Sequence, residues 1–364
     1  MPKRELSTVG DHFFVGLRPT PALDSRDRAL LSDLRPAGVI LYKSNFRHGV
    51  PYRDWLETHE KLIADVRRAV GRDRMFVAID HEGGRVCRTP APITRFSYAA
   101  DWANRAAAVG EAMGRELASL GINLNFAPVL DIHSNPANPV IGVRAFGTSS
   151  DTVSASALAF MAALQKEGVL ACGKHFPGHG DTDKDSHYAL PVLHQDLNAL
   201  YARELKPFIA AIAAGIPMLM TSHILLPKTD SEPVTLSQRF IAELLRKGLG
   251  YQGVVVSDDI GMQAVSSIFD DPTAAVRLLL AGSDMMMVCA HWTDTERCRS
   301  FAEAIAAAEV NGTLPESVTA PSKQRIRALL ARTPQHGVAA LSEAVFREHR
   351  SAGPLYAAET VEVV

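Results

Sequence analysis

The sequence contains few cysteines, and their spacing is not that of a metal or redox motif. The four cysteines are Cys87, Cys172, Cys289 and Cys298, and no two of them form a C-x-x-C pair. A chain of 364 residues can bury enough apolar surface to fold without disulfide bonds. This pattern argues against a disulfide scaffold and favours a reducing compartment, so we expect a cytoplasmic protein.

The sequence also lacks an apolar run of the roughly 20 residues that a membrane-spanning helix needs. No secretory signal is visible at the N-terminus, because the apolar stretch from His12 to Leu17 is short and is followed by Arg18 and Pro19. We therefore expect no membrane association.

Neither sign of charge dominates the chain. It has 38 basic and 40 acidic residues and a formal net charge of -2, without a run of Lys and Arg and without basic residues interleaved with aromatics. A nucleic-acid partner is therefore not expected. The 47% hydrophobic and 21% charged residues are typical of a folded globular protein, which argues against disorder.

Short apolar or β-branched runs alternate with helical patterns along the chain, which indicates repeated βα units and a parallel sheet. The helical patterns include Asp54 to Val70 and Leu197 to Ala214. The strand candidates are His12 to Leu17, Gly38 to Tyr42, Phe76 to Asp80, Leu124 to Val129, Leu170 to His175, Met218 to His223, Val254 to Asp258 and Met285 to Val288.

These units predict an α/β fold of the (β/α)₈ TIM-barrel type. A doubly wound sheet is the alternative, but no G-x-G-x-x-G motif follows the first strand. We assign residues 1–333 to a single catalytic barrel and residues 334–364 to a short C-terminal extension. The boundary follows the Pro/Gly break from Pro334 to Gly337.

The densest polar segment runs from Lys174 to His187 and contains three histidines and three aspartates directly after the fifth strand candidate. In such barrels, catalytic groups lie at the carboxyl ends of the strands. A metal site is one reading, because Asp181, Asp183 and Asp185 have the opening spacing of a calcium loop. However, Ser186 and Val192 replace the glycine and glutamate of that loop, and no HExxH frame accompanies the histidines. We expect no metal.

Within this segment, Asp185 and His187 are two residues apart, so their side chains can meet in an extended or turn conformation. A carboxylate that accepts a hydrogen bond from one imidazole nitrogen leaves the other nitrogen to transfer a proton near neutral pH. The spacing alone leaves open the simpler reading, in which Asp185 caps a turn and His187 is an ordinary loop histidine.

Further charged groups follow other strands. Asp258 and Asp259 follow an apolar run, and neighbouring strand residues point in opposite directions, so one can face the barrel mouth as a nucleophile, a base or a hydrogen-bond acceptor. The other can cap the next turn. The segment Asp80 to Arg88 and the isolated Arg144 suit polyol or anion recognition, although a lone arginine more often forms a surface ion pair.

These residues lie in blocks that resemble glycoside hydrolase family 3, within it the β-N-acetylglucosaminidase branch. The resemblance extends from about His12 to about Leu330. Its four blocks are Ile79 to Val86, Asn125 to Asp131, Lys174 to His187, and Val256 to Asp259.

The resemblance implies a retaining, exo-acting β-N-acetylglucosaminidase without a cofactor, which acts on cell-wall recycling fragments. Asp258 would be the nucleophile, and His187, assisted by Asp185, would be the acid/base. The residues that would hold the sugar hydroxyls are Asp80, Arg88, Arg144, Lys174 and His175. Ala145 stands where the family usually has serine, which could alter the support of Arg144.

Three alternatives remain open. Some relatives of this branch act as phosphorylases on GlcNAc or glucose, and an imidazole acid/base tolerates inorganic phosphate better than a carboxylate would. Lys174 could instead be the Schiff-base lysine of an aldolase, or the protein could bind sugars without catalysis.

The C-terminal extension resembles a remnant of a second domain, and an oligomer formed through it could supply groups that bind the aglycone.

Overall fold

The computed structural model describes residues 6–357, and its central feature is a closed barrel of eight parallel strands in chain order, with β8 pairing with β1. The strands are β1 Phe13–Gly16, β2 Gly38–Leu41, β3 Phe76–Ile79, β4 Leu124–Asn125, β5 Leu170–Phe176, β6 Met218–Thr221, β7 Val254–Asp259 and β8 Met285–Cys289. The predicted (β/α)₈ class and all eight strand candidates are therefore confirmed.

The strands are apolar along nearly their whole length because both of their faces are buried. Inside the barrel, the ring of Phe14 stacks on Phe76 at 5.6 Å between centroids and meets Phe126 edge-on at 5.5 Å. Outside it, a second apolar layer fills the space between the strands and the surrounding helices. The barrel is thus a packed core, and open space is left only where the strands end.

Helices surround the barrel, and none of them within residues 6–357 is long and apolar enough to cross a membrane. The α-helices are α1 Ser25–Leu34, α2 Tyr52–Val70, α3 Ala99–Trp102, α4 Ala106–Ser119, α5 Ser150–Lys166, α6 Leu197–Ala202, α7 Lys206–Ala213, α8 Ala274–Ala281, α9 Arg297–Asn311, α10 Glu316–Arg332 and α11 Glu343–His349. A π-helical segment, Arg239–Gly248, follows β6.

Proline explains two differences from the predicted elements. The ladder of β4 ends at Asn125 rather than Val129; Pro128 has no N–H to donate, although its carbonyl still accepts a hydrogen bond from β5. The single helix predicted over Leu197 to Ala214 was wrong. It is divided into α6 and α7, because Pro207 offers no N–H to the carbonyl of Arg203.

The C-terminal extension packs against the barrel as far as the structure describes it. Phe346 of α11 meets Tyr52 edge-on at 5.5 Å, and the His349 imidazole lies 2.7 Å from the buried Glu116 carboxylate. Leu355 then pairs with Phe96 in a short β-bridge. The remaining residues of the predicted extension, 358–364, lie outside the described residues, and its origin as a second-domain remnant stays a prediction.

Asp284 holds together the end of the barrel opposite the strand carboxyl ends. Its fully buried carboxylate accepts hydrogen bonds from Arg246 at 2.6 Å, from Arg325 at 2.7 Å and from the Val255 amide at 2.8 Å. These donors belong to the π-helical segment, α10 and β7. One carboxylate therefore ties three elements to the base of the barrel.

We expect Asp284→Ala to lower the free energy of unfolding by about 3 kcal/mol, because two guanidinium groups lose their buried partner. Urea unfolding monitored by circular dichroism measures the change. The matched control is Glu57→Ala, which breaks an exposed helical ion pair with Arg53 and should cost no more than about 0.5 kcal/mol. A similar effect of the two substitutions would contradict this role of Asp284.

Candidate active site

A cavity of about 860 Å³ opens at the carboxyl ends of the barrel strands. The structure brings all eight site residues predicted from the sequence to its lining, although they are distributed over much of the chain. They are Asp80, Arg88, Arg144, Lys174, His175, Asp185, His187 and Asp258. Their convergence is a property of the fold, and their individual roles stay predictions.

On one wall of the cavity, four charged side chains form a cluster, namely Glu82, Arg144, Lys174 and Asp80. The Arg144 guanidinium donates two hydrogen bonds of 2.8 Å to the Glu82 carboxylate. The Lys174 ammonium lies 2.6 Å from Glu82 and 2.7 Å from Asp80. Arg144, Lys174 and Glu82 are buried, so the predicted alternative of a surface ion pair for Arg144 was wrong.

In this cluster, charge pairing changes the pKa values more than burial does. Burial alone would raise the pKa of Glu82, but Arg144 and Lys174 hold that pKa well below its usual range. Burial would likewise lower the pKa of Lys174, but Asp80 and Glu82 raise it above its usual value. Lys174 is therefore held as an ammonium ion. A Schiff-base lysine must react as a neutral amine, so this environment argues against the aldolase alternative.

The Asp131 carboxylate orients the His175 imidazole. Its Nδ1 donates to the Asp131 carboxylate at 2.6 Å, and the same carboxylate accepts the backbone N–H of His179 at 2.7 Å. Burial would raise the pKa of Asp131, but the His175 and His179 contacts keep it below the usual value. With Nδ1 fixed in this way, Nε2 of His175 is available to a ligand in the cavity.

The Asp185 and His187 side chains meet, which their spacing allowed but did not decide. His187 donates to Asp185 Oδ1 through its backbone N–H at 2.9 Å and through its imidazole Nδ1 at 2.6 Å. Partial burial would raise the pKa of Asp185, but these two hydrogen bonds hold it below its usual value. Asp185 is therefore an anion at neutral pH, and it fixes Nδ1 of His187 so that Nε2 can exchange a proton.

The loop that carries this pair is supported by buried polar groups. His179 uses both ring nitrogens, towards Thr182 Oγ1 at 2.7 Å and Ser186 Oγ at 3.1 Å, and burial lowers its pKa to about 4. Asn138 donates to the carbonyls of His179 and Thr182 at 2.9 Å each. At Gly180, a Cβ atom would come within 1.6 Å of the Ile132 carbonyl oxygen, so this close approach requires glycine.

The two adjacent aspartates at the end of β7 have different environments. Asp258 lines the cavity; burial would raise its pKa, but the imidazoles of His175, His223 and His187 keep it below the usual value. Asp259 also reaches the lining, but its Oδ1 accepts the Gly261 N–H at 2.9 Å, and burial raises its pKa to about 7. Of these two aspartates, Asp258 is therefore the one whose environment favours the charged carboxylate at neutral pH.

Backbone geometry also fixes the rotation of the Asp258 carboxylate. Its Oδ1 accepts the N–H of Asp259 at 2.8 Å. The carbonyl of Asp259 in turn accepts a hydrogen bond of 3.0 Å from Nε2 of the buried His223. A negative group held in one orientation beside a cavity, opposite a histidine with a free ring nitrogen, can combine nucleophilic attack with proton transfer.

Sequence reasoning did not select Glu82 or Trp292 as site residues. Glu82 lies two residues after Asp80, within the segment Asp80 to Arg88 that suits polyol or anion recognition, so its proximity to a predicted site residue was a usable signal. Trp292 follows β8 outside any motif, yet its ring lies 5.2 Å from that of His187. Nothing in the local sequence indicates that contact.

A family model described as "Glycosyl hydrolase family 3 N terminal domain" matches residues 9–329. Among curated proteins, the chain is 35% identical over 331 residues to beta-hexosaminidase A of Pseudoalteromonas piscicida, and the match covers 84% of this chain and 55% of that protein. It therefore spans about half the length of that relative. It is also 35% identical to beta-hexosaminidase of Methylococcus capsulatus, covering 74% of this chain and 80% of that protein.

Solved structures of related enzymes are also similar to this chain. A family 3 beta-N-acetylglucosaminidase from Paenibacillus sp. superposes with a TM-score of 0.85 and 32% identity, covering 97% of this chain and 68% of that chain. NagZ from Neisseria gonorrhoeae, solved in complex with N-trifluoroacetyl-D-glucosamine, gives a TM-score of 0.78 and 27% identity, covering 94% of this chain and 97% of that chain.

A closed barrel of eight parallel strands with charged groups at the carboxyl ends of the strands is the architecture of a barrel enzyme. The chain belongs to glycosyl hydrolase family 3, as its sequence resemblance indicated.

We expect Glu82→Gln to lower the free energy of unfolding by about 3 kcal/mol at pH 7, because Arg144 and Lys174 lose a buried counter-charge. The pKa of Glu82 is lowered by folding, so its stabilisation is present above the unfolded value and lost below it. The difference between the two proteins should therefore be constant from neutral pH to about pH 5 and shrink below about pH 4.3.

Urea unfolding over this pH range measures the difference. Glu111→Gln is the matched control, because Glu111 is an exposed glutamate on α4 and its substitution should change stability by less than about 0.5 kcal/mol at any pH. A stability difference for Glu82→Gln that did not depend on pH would argue against a charged Glu82 in the folded protein.

Proposed function

We propose that the protein is a retaining, exo-acting β-N-acetylglucosaminidase. The observation that carries this proposal is the Asp185–His187 hydrogen bond of 2.6 Å at the rim of the same cavity that Asp258 lines. An oriented imidazole and a fixed carboxylate in one cavity are the two groups that a two-step displacement requires. A cavity closed below by the packed barrel suits a single terminal sugar, which supports exo action.

In the first step, the Asp258 carboxylate attacks the anomeric carbon while the bond to the leaving oxygen breaks. The protonated His187 gives its Nε2 proton to that oxygen, and the sugar becomes esterified to Asp258. In the second step, a water molecule attacks the same carbon, His187 takes its proton at Nε2, and the Asp258 carboxylate is released. Asp185 stays an anion throughout and stabilises the charged imidazole.

The charged cluster and His175 would hold the sugar for this attack. Asp80 and Lys174 present a carboxylate and an ammonium on one wall, and His175 presents its free ring nitrogen nearby. Glu82 restricts the Lys174 ammonium, and Asp131 restricts the His175 ring. Hydrogen bonds from these two donors to sugar hydroxyls therefore cost little reorganisation. Arg88, placed over the Tyr42 ring with 5.7 Å between guanidinium carbon and ring centroid, would serve a further hydroxyl.

The choice of N-acetylglucosamine rests on the relatives, because the Paenibacillus structure is described as a beta-N-acetylglucosaminidase and the Neisseria structure contains an N-acylated glucosamine. Comparing aryl β-N-acetylglucosaminide with aryl β-glucoside tests this choice. Cell-wall fragments as substrates and a cytoplasmic location stay predictions from the resemblance and the composition.

We expect His187→Ala to lower kcat/KM by about 10²- to 10⁴-fold on aryl glycosides with weakly acidic leaving groups, because their departure needs a proton. Dinitrophenyl N-acetylglucosaminide should keep its kcat/KM, because that leaving group departs as an anion. Steady-state kinetics measure both values. His194→Ala, at an exposed histidine further along the chain, is the matched control and should behave as the wild type.

Asp258→Ala should lose turnover of both substrate types, whereas Asp183→Ala, at an exposed aspartate of the His187 loop, should not. A slow fluorinated substrate should leave one sugar attached to Asp258, detected by peptide mass spectrometry. Equal loss on both leaving groups in His187→Ala would remove the acid/base assignment, and a sugar attached elsewhere would remove the nucleophile assignment.

A glycoside phosphorylase is the second candidate, and the basic residues at the mouth favour it. Lys43, Arg85 and Arg88 line the cavity, and none of the three forms an ion pair within 4.0 Å among the salt bridges of residues 6–357. With an imidazole as the acid/base, this rim would not repel a phosphate dianion as a second carboxylate would.

We expect hydrolysis to dominate, because water needs no dedicated site. Incubation of the enzyme with aryl β-N-acetylglucosaminide, with and without inorganic phosphate, followed by phosphorus NMR, distinguishes the acceptors. Free sugar at an unchanged rate is the expected result. Formation of sugar 1-phosphate at the expense of free sugar would establish the phosphorylase instead.

A further inference from the structure

The His187 ring packs against an aromatic side chain from the other side of the barrel mouth. The ring centroids of His187 and Trp292 are 5.2 Å apart, and their planes are inclined by 39°. Trp292 follows β8, whereas His187 lies on the loop after β5. The contact therefore connects the acid/base loop to a separate part of the barrel rim.

The His187 loop does not orient this ring by itself. Asp185 lies on the same loop, and the side chains of His187 and Asp185 keep 35% and 24% of their exposure. The backbone is attached to the loop after β7, because Gln263 N–H and Ala264 N–H donate to the carbonyls of His187 and Ser186 at 3.3 Å each. These bonds fix the main chain, and Asp185, which accepts the His187 backbone N–H, contacts the imidazole at Nδ1 alone.

Trp292 is itself held by elements other than that loop. Its backbone N–H donates to the Cys289 carbonyl at 3.0 Å, and the His291 ring meets the indole edge-on at 4.8 Å. The His291 ring in turn stacks on Tyr42 at 5.7 Å. Gly261 packs so closely that a Cβ atom there would lie 2.7 Å from Cβ of Trp292. The indole that contacts the imidazole is thus held by residues outside the His187 loop.

We propose that Trp292 is a positioning residue, which holds the His187 ring in the orientation from which Nε2 reaches the leaving oxygen and the attacking water. This inference rests on the proposed acid/base role of His187. An aromatic pair of this kind corresponds to about a 2- to 13-fold preference for the packed ring. A misplacement of about 1 Å in a reacting group can cost up to about 10²-fold in rate.

The experiment compares Trp292→Ala, Trp292→Leu and Trp292→Phe with His187→Ala on aryl β-N-acetylglucosaminides whose leaving groups differ in acidity. Trp292→Ala and Trp292→Leu should lower kcat/KM about tenfold or more for weakly acidic leaving groups. Both should stay within about twofold of the wild type for the dinitrophenyl substrate, which needs no proton. Trp292→Phe should restore most of the loss, because it keeps a stacking ring.

A double variant tests whether the effect passes through the imidazole. If Trp292 acts by positioning His187, adding Trp292→Ala to His187→Ala should cost no further activity on weakly acidic leaving groups. Thermal unfolding of each variant shows whether it is folded, and Trp292→Leu retains apolar bulk if Trp292→Ala is unstable.

Two results would overturn the inference while leaving the proposed function intact. One is an equal loss, or a uniform rise in KM, for all leaving groups in folded Trp292→Leu, which would make the indole a surface that binds the aglycone. The other is a full additional loss in the double variant. By contrast, a wild type that cleaves no β-N-acetylglucosaminide, or a His187→Ala variant without leaving-group dependence, would overturn the proposed function and this inference with it.

Discussion

The pairing of Glu82 with Arg144 and Lys174 is the interaction on which the rest of the site depends. These groups come from the loops after β3 and β4 and from β5 itself, and they are buried together. A buried charge without a partner is far more costly than a buried pair, so these loops must converge for any one of the charges to be tolerated. Their convergence also fixes the positions of Lys174 and Asp80 at the cavity wall. Folding stability and the proposed positioning of the sugar therefore depend on the same contacts.

The two proposed catalytic groups are held in place by different kinds of structure. Asp258 belongs to a barrel strand and is held by a backbone amide at 2.8 Å, so its position is as rigid as the barrel itself. His187 lies on a loop and keeps about a third of its side-chain exposure, 35%. A nucleophile must attack along one line, whereas an acid/base must serve a departing group and then a water molecule. Support of His187 by a neighbouring loop rather than by a strand is consistent with that double task.

Much of the architecture could be predicted because strands buried on both faces appear in the sequence as short apolar runs. Prediction was less successful where a proline removed a hydrogen-bond donor, as at Pro128 after β4 and Pro207 in the first turn of α7. Within the site, the local spacing of Asp185 and His187 allowed their contact but also left open an ordinary turn. Glu82 was missed because its importance comes from two distant cations, and Trp292 because its contact crosses the barrel mouth.

The sequence by itself determined the order of the strands, the polar residues that emerge at their carboxyl ends and the proximity of Asp185 to His187, because these depend on residues close together in the chain. Only the tertiary structure decided which charges neutralise one another. Lys174 and Asp80 are 94 positions apart and meet only when the barrel closes. That closure raises the pKa of Lys174, lowers the pKa of Asp258 and raises the pKa of Asp259, since pKa values depend on burial and on neighbours in space.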